Sequence, residues 1–180
     1  MTPDTLSKSN TEHAHQRAFF QWLNFATRYG FDTAKGMCLQ QTTGRQSIKD
    51  LKAGRIIGLP ELNLMHAIPN GGYRRGSEAS KLKAEGVKAG VLDTFLPVSK
   101  QCPIHPGSAH MFTYSGLYIE FKDQKRRAHA DGGLSVEQVK FMRAVRDQGY
   151  CARVAYTWRE AANLTMQYYG EEIRFDTWGK

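Results

Sequence analysis

Residues 116–122 have the sequence Gly116-Leu117-Tyr118-Ile119-Glu120-Phe121-Lys122, and the rest of the chain is interpreted around them. Every second residue from Leu117 to Phe121 is apolar, which is the period-two pattern of a β-strand with one buried face. Glu120 and Lys122 project from the same face of this predicted strand. The pattern therefore places a carboxylate beside an ammonium group.

A second predicted strand, residues 90–98, lies upstream and carries one acid, Asp93, among apolar residues. If the two strands pair, Asp93 lies next to Glu120 and Lys122. Two carboxylates and an ammonium group at one place are suited to a divalent cation and a phosphate. The combination predicts a metal-dependent nuclease.

Size and composition indicate one compact soluble domain with a partner of negative charge. The chain has 180 residues, of which 41% are hydrophobic and 23% charged, and its formal net charge is +8. This length suits a single domain with a substantial core. A strongly positive charge favours a polyanionic partner, most commonly nucleic acid.

Several features predict an intracellular protein, in the cytoplasm of a bacterium or, for a viral protein, of a host cell. No apolar run approaches the roughly 20 residues of a membrane-spanning helix, and residues 1–11 lack the apolar core of an export signal. Three widely spaced cysteines argue against a disulfide framework. The chain has no glycine-rich loop ending in Gly-Lys-Ser/Thr, so we expect no nucleotide cofactor.

The N-terminal third is predicted to hold one amphipathic helix and a long irregular segment. Residues 1–10 read as a disordered tail, and Thr11 is suited to cap a helix that continues to about Ala26. Glycines and polar residues interrupt residues 31–58, which we interpret as a long loop, a lid or arm over the substrate, with one short helix at 47–53.

The remaining segments alternate between strand and helix patterns. Strands are predicted at 62–68, 90–98, 116–122 and 150–156, helices at 77–88, 135–149 and 157–169, and an extended loop at 99–115. This order predicts an α/β fold with a mixed central sheet flanked by helices.

The predicted site has the groups that phosphodiester hydrolysis requires. Mg²⁺ prefers oxygen ligands and keeps several waters, so Asp93 and Glu120 supply enough carboxylates, and the backbone carbonyl of Phe121 adds a third ligand. Lys122 is then placed to orient the attacking water or to stabilise charge on the phosphate. The alternative interpretation is an ordinary Glu–Lys pair on an exposed strand face.

The Glu-x-Lys triplet alone is a weak signal, because about one is expected by chance in a chain of this length. A competing Asp50-x-Lys52 triplet lies in a predicted helical segment flanked by glycines. The signal is strengthened by the acid-bearing strand that precedes Glu120 and Lys122.

These motifs resemble the PD-(D/E)xK nuclease superfamily and, more closely, the virus-type replication-repair nuclease (VRR-NUC) family. The resemblance runs from Glu12 to about Tyr169. It rests on Glu12-His13-Ala14-His15-Gln16, Ala67-Ile68-Pro69-Asn70-Gly71-Gly72, the segment from Lys83 to Asp93, Tyr118-Ile119-Glu120-Phe121-Lys122, Leu134-Ser135-x-x-Gln138 and Gly149-Tyr150. Leu92 stands where the family usually has proline.

The resemblance implies a PD-(D/E)xK restriction-endonuclease-like core, αβββαβ, in one domain over residues 11–172. Segments 27–60 and 99–115 are then insertions, and 173–180 is a C-terminal tail. Asp93 and Glu120 match the metal ligands of the family, and Lys122 matches its catalytic lysine. Glu12 matches the helix acid that completes the metal site; without the resemblance it is only a favourable first-turn acid. Gln138 matches a glutamine that bonds to the site or to the phosphate.

Basic segments on either side of the predicted site are candidate DNA contacts. One basic segment follows the first predicted strand, and another follows the strand that carries Glu120 and Lys122. The residues assigned to DNA binding are Asn70, Gly71, Arg74, Arg75, Lys83, Lys125, Arg126 and Arg127. For a single lysine such as Lys83, a solvated helix face is the favoured interpretation. Cys102, His105 and His110 hint at zinc, but one local cysteine is a poor zinc signature.

The sequence therefore predicts a Mg²⁺- or Mn²⁺-dependent DNA endonuclease. The resemblance implies selectivity for branched DNA, such as junctions or flaps, and a homodimer. The alternative is a catalytically inactive or non-selective nucleic-acid-binding protein on the same fold. A sequence-specific restriction enzyme would need a recognition module, for which only residues 31–58 offer room.

Overall fold

The computed structural model describes residues 2–38, 44–69, 81–82, 84–103 and 109–171. The helices are α1 (Pro3–Leu6), α2 (Glu12–Cys38), α3 (Gly44–Lys52), α4 (Val136–Asp147) and α5 (Trp158–Tyr168). The strands are β1 (His66–Ala67), β2 (Thr94–Leu96), β3 (Lys100–Pro103), β4 (Met111–Tyr114), β5 (Leu117–Phe121) and β6 (Cys151–Ala155). Short 3₁₀ helices occupy Pro60–Leu64 and Gln124–Arg126.

Four of the strands form a mixed sheet in the order β1-β2-β5-β6. β1 pairs with β2 and β2 with β5 in antiparallel register, whereas β5 and β6 are parallel. A parallel pair needs a crossover connection, and α4 supplies it. The order α2-β1-β2-β5-α4-β6 follows the predicted αβββαβ core, so the predicted α/β fold with a mixed, helix-flanked sheet is confirmed.

Strand β5 is central because it is buried on both faces. Leu117 and Ile119 are fully buried and belong to the main core with residues of α2 and α5, such as Trp22 and Trp158. On the opposite face Tyr118 packs against a smaller cluster, which includes Met142 of α4. Helices thus cover both sides of the sheet, and burial holds the polar end of β5 in place.

Residues 2–10 differ from the prediction of a disordered tail. Residues 3–6 form α1, and Thr2 Oγ1 caps it by accepting a bond from Thr5 N at 3.3 Å. Asp4 accepts hydrogen bonds from Trp158 Nε1 at 3.2 Å and from Arg159 Nη2 at 2.9 Å. These long-range contacts to α5 order the segment, and a local sequence pattern does not reveal them.

The prediction of a long loop at 31–58 is wrong for its first part, residues 31–38. The first long helix continues past Ala26 to Cys38 with a kink at Gly30, where φ is +75°. Phe31 and Ala34 are buried in the core, and this burial stabilises the helix beyond the kink. The expected short helix is present as α3, Gly44–Lys52.

Two further segments differ from their predictions. Within the predicted strand 62–68, the first residues are 3₁₀ helix and only His66–Ala67 are strand. The predicted loop 99–115 contains β3 and β4, which pair as an antiparallel two-stranded sheet. Tyr168 Oη donates a hydrogen bond to the carbonyl of Val98 at 2.6 Å. Contact with α5 therefore stabilises the hairpin, although the local sequence has a weak strand propensity.

The C-terminal elements follow their predictions closely. Ser135 caps α4, β6 occupies Cys151–Ala155, and Thr157 Oγ1 caps α5 through Glu160 N. Of the predicted helix 77–88, Lys81, Leu82 and Ala84 are helical, and the turn ends at Gly86 with φ +94°. The predicted tail at 173–180 lies outside the described residues, and none of the helices that are described could span a membrane.

Candidate active site

The site lies where β5 extends beyond its neighbour β2. Thr94, the first residue of β2, is opposite Ile119, so Glu120 and Phe121 have no strand partner on that side. Asp93 fills the gap with its side chain: Phe121 N donates to Asp93 Oδ2 at 2.9 Å. In return, Asp93 N donates to Glu120 Oε2 at 3.1 Å. These crossed bonds bring the two carboxyl groups to the same edge of the sheet.

Glu120 is the most buried ionisable group of the site, with 1% of its surface exposed. Its Oε1 accepts hydrogen bonds from Lys122 Nζ at 2.6 Å and from Gln138 Nε2. Burial, and next the negative charge of Asp93, raise the pKa of the Glu120 carboxyl to about 7, and Lys122 partly opposes this shift. The group therefore changes charge near neutral pH.

Lys122 is itself buried and leaves the strand beside Glu120. Its backbone N–H donates to Ala155 O at 3.0 Å, which fixes the residue against β6. An ammonium group has three donors, and the bond to Glu120 Oε1 uses one of them. Because Lys122 is buried and its backbone is bonded to β6, its ammonium group is held beside the two carboxylates.

Gln138 connects the site to the first turn of α4. Its Oε1 accepts from Ser135 N at 2.9 Å, and its backbone N donates to Ser135 Oγ at 3.2 Å, which is a complete capping box. Because the amide oxygen is used by the cap, the amide nitrogen must point to Glu120. The structure thus places Gln138 in contact with Glu120, and its part in the function stays a prediction.

Glu12 lies at the same end of β5 but has a different contact from the one predicted. Its Oε1 accepts a hydrogen bond from Asp123 N at 2.8 Å, one residue beyond Lys122. Asp123 was not among the predicted site residues. Its Oδ1 caps the next turn by accepting from Lys125 N, and an aspartate before a short polar turn is the signal that identifies such a cap.

The donor set fits a hard cation with a small number of protein ligands. Within the described ranges, no three histidine, cysteine or carboxylate side chains form a metal-binding group. Asp93 and Glu120 supply two carboxylates, and the carbonyl of Phe121 points to the same side of the strand as the N–H that contacts Asp93. Mg²⁺ commonly binds through few carboxylates and keeps waters. Metal ligation by Glu12 stays a prediction.

The predicted DNA contacts fall into two groups. Asn70, Gly71, Arg74, Arg75 and Lys83 lie outside the described residues, as does His105 of the zinc alternative. Lys125 and Arg126 are exposed beside the site. Arg127 is also exposed, but its guanidinium pairs with Glu160 and lies 4.2 Å from the centre of the Tyr156 ring.

No protein-family model matches the chain, and no curated protein matches its sequence. Among solved structures, the chain is similar to one described as a "VRR_NUC domain protein". The two share 19% sequence identity with a TM-score of 0.47, over 94% of this chain and 89% of that chain.

Proposed function

We propose that the protein is a metal-dependent nuclease that hydrolyses phosphodiester bonds in DNA. The observation that supports this function best is the crossed bonding of Asp93 and Glu120, with the ammonium group of Lys122 on Glu120. Glu120 is almost completely buried and Asp93 is half-buried beside it, so their negative charges repel each other, and Lys122 offsets this only in part. A divalent cation would neutralise the remaining negative charge and could then hold a phosphate.

Each residue of the pair has a distinct task in this proposal. Asp93, Glu120 and the carbonyl of Phe121 would hold Mg²⁺ or Mn²⁺, which supplies a polarised water and neutralises phosphate charge. In hydrolysis the water oxygen bonds to phosphorus, the bond to the ester oxygen breaks, and that oxygen receives a proton. Lys122, already fixed on Glu120, orients the water or pairs with a phosphate oxygen, and Gln138 keeps the Glu120 carboxylate in position.

The formal charge of +8 and the exposed cations beside the site support DNA as the partner. Selectivity for branched DNA and assembly as a homodimer are further parts of the proposal, which the family resemblance suggests. In a homodimer, two sites would act on two strands.

A second candidate is a protein that binds nucleic acid without cleaving it. The absence of a three-residue metal-binding group among the described residues favours this alternative. So does the engagement of Glu120 Oε1 by both Lys122 and Gln138. The two functions differ in one respect: the nuclease cleaves DNA when a divalent cation is present, whereas the binding protein leaves the DNA intact.

The test is a cleavage panel with linear duplex, single strand, flap, splayed arm and four-way junction, with Mg²⁺ and with EDTA. We expect Mg²⁺-dependent cleavage that Asp93→Asn abolishes, while salt-sensitive DNA binding persists in the variant. Asp50→Asn, in the competing triplet on α3, is the matched control and retains cleavage. DNA binding without cleavage of any substrate by the unaltered protein would favour the second candidate.

A further inference from the structure

A surface cavity of about 510 Å³ is formed by the loop between β5 and α4, which leads from Lys122 to Gln138. It is lined by Arg126, His129, Ala130, Asp131, Gly133 and Leu134. One wall begins four residues after Lys122 and the other ends four residues before Gln138, and both of these residues bond to Glu120. The loop that forms the cavity is therefore joined, at both of its ends, to a residue that contacts Glu120.

The loop that forms the cavity is fixed by specific contacts. Gly132 and Gly133 have φ of +62° and +82°, which favour glycine. The hydroxyl of Tyr156 donates to Gly132 O at 3.0 Å. A Cβ on Gly133 would lie 2.5 Å from Arg126 Cβ, so glycine at this position allows the arginine to lie against the loop. These contacts preform the cavity.

The two neighbouring arginines have different environments. Arg127 forms an ion pair with Glu160 and stacks on the ring of Tyr156. These two contacts fix the loop against residues at and after the end of β6. Arg126 lines the cavity and forms no ion pair with any acid in the described part of the chain. A guanidinium in this setting is suited to bind a phosphate group.

The chemistry of the lining suits a whole nucleotide better than a phosphate alone. Arg126 and His129 offer donors to a phosphate, Asp131 offers an acceptor to the N–H or O–H groups of a base or sugar, and Ala130 and Leu134 offer apolar surface. The volume lies within the range of about 300–1,000 Å³ that is usual for small-ligand sites. A nucleotide in a duplex cannot enter a cavity without leaving its stack, which costs least when it is already unpaired.

We propose that this cavity binds one unpaired nucleotide next to the scissile phosphate, and that it thereby selects DNA with a flap or a branch. The proposal rests on the proposed nuclease function for the identity of the partner. It explains selectivity for branched DNA, because a fully paired duplex must first lose base pairing and stacking energy before a nucleotide can enter the cavity.

Binding without metal tests this proposal separately from cleavage. The probe is a nicked duplex with one unpaired 2-aminopurine nucleotide, compared in EDTA with the same duplex fully paired. Fluorescence of the 2-aminopurine reports its environment, and anisotropy of a distant label reports affinity. Arg126→Ala and Asp131→Ala alter the exposed lining, and Arg45→Ala on α3 is the matched control for loss of one positive charge.

We expect the unaltered protein to bind the probe at least tenfold more tightly than the paired duplex and to change its fluorescence. Arg126→Ala and Asp131→Ala should each reduce this preference to less than threefold, while Arg45→Ala preserves the ratio. Equal affinity for the two duplexes, or an unchanged preference in both cavity variants, would overturn the proposal. Because no metal is present, these results stand whether or not the protein cleaves DNA.

Discussion

At the scale of single residues, the site depends on how Glu120 is held. Three donors from three different segments converge on its two oxygens: Asp93 N, Lys122 Nζ and Gln138 Nε2. The strand alternation predicts that Lys122 lies beside Glu120, whereas a contact from Gln138 is implied only by the family resemblance. The exchange between Asp93 and Phe121 could not be inferred from the sequence, since it depends on where β2 begins.

The raised pKa of Glu120 predicts that metal binding depends on pH. Because its pKa in the folded protein is about 7, the carboxyl is largely protonated at pH 6 and ionised at pH 8. A cation requires the ionised form. We therefore expect Mg²⁺ to raise the midpoint of thermal unfolding more at pH 8 than at pH 6. Equal shifts at both values, or the same pH dependence in Glu120→Gln, would contradict the assignment of Glu120 as a ligand.

Gln138 has two roles that substitution can separate. Gln138→Ala removes half of the capping box, which costs about 1 kcal/mol of stability, and it also frees Glu120 Oε1. We expect turnover to fall about 10- to 100-fold, as is typical when a partner of a metal ligand is lost. Ser135→Ala is the control, because it weakens the same cap but leaves the side-chain amide of Gln138 in place.

The measurements are the unfolding free energy by denaturant titration and the cleavage rate for both variants. Similar losses of stability are expected, with turnover in Ser135→Ala within twofold of the unaltered protein. Equal losses of turnover would mean that Gln138 acts only through the stability of α4.

At the scale of elements, the sequence predicted those parts whose signals are local. The cap at Ser135, the strand β6 and the helix α5 carry their own N-caps or alternation, and they lie within two residues of their predicted bounds. The helical segment after Gly30 and the β3–β4 hairpin depend on contacts distant in sequence. Their local patterns, rich in glycine, proline and polar residues, indicate loops, and burial overrides this tendency.

Gly58 exemplifies such a distant constraint. A Cβ at this position would lie 2.5 Å from Thr27 O and 2.7 Å from Arg28 O, so Gly58→Ala forces the chain away from α2. We expect a loss of stability of about 3 kcal/mol, the upper part of the usual range for overpacking. The comparison is Gly54→Ala, where φ is +68° but no atom lies within 4 Å of the added Cβ.

The left-handed conformation at Gly54 costs an alanine about 1 kcal/mol. Thermal unfolding of the two variants measures the difference. A loss in Gly58→Ala no larger than that in Gly54→Ala would show that the close approach to α2 is not maintained in solution.

At the scale of the whole molecule, the fold brings three segments to one end of β5. The first turn of α2 contributes Glu12, the segment before β2 contributes Asp93, and the start of α4 contributes Gln138. The sequence motifs predicted this convergence through the family resemblance, because 12, 93 and 138 are too far apart for any local pattern. The net charge of +8 favours a polyanionic partner.

The central claim is that the carboxylate pair with Lys122 hydrolyses DNA with the aid of a divalent cation. The most direct measurement is the single-turnover cleavage rate of a flap substrate in Mg²⁺ for Glu120→Gln and for the control Asp50→Asn, which likewise replaces a carboxylate by an amide. We predict a loss of at least 1,000-fold, about 4 kcal/mol of transition-state stabilisation, in Glu120→Gln and a rate within twofold of the unaltered protein in Asp50→Asn. A Glu120→Gln variant that cleaves at an unchanged rate would contradict the claim.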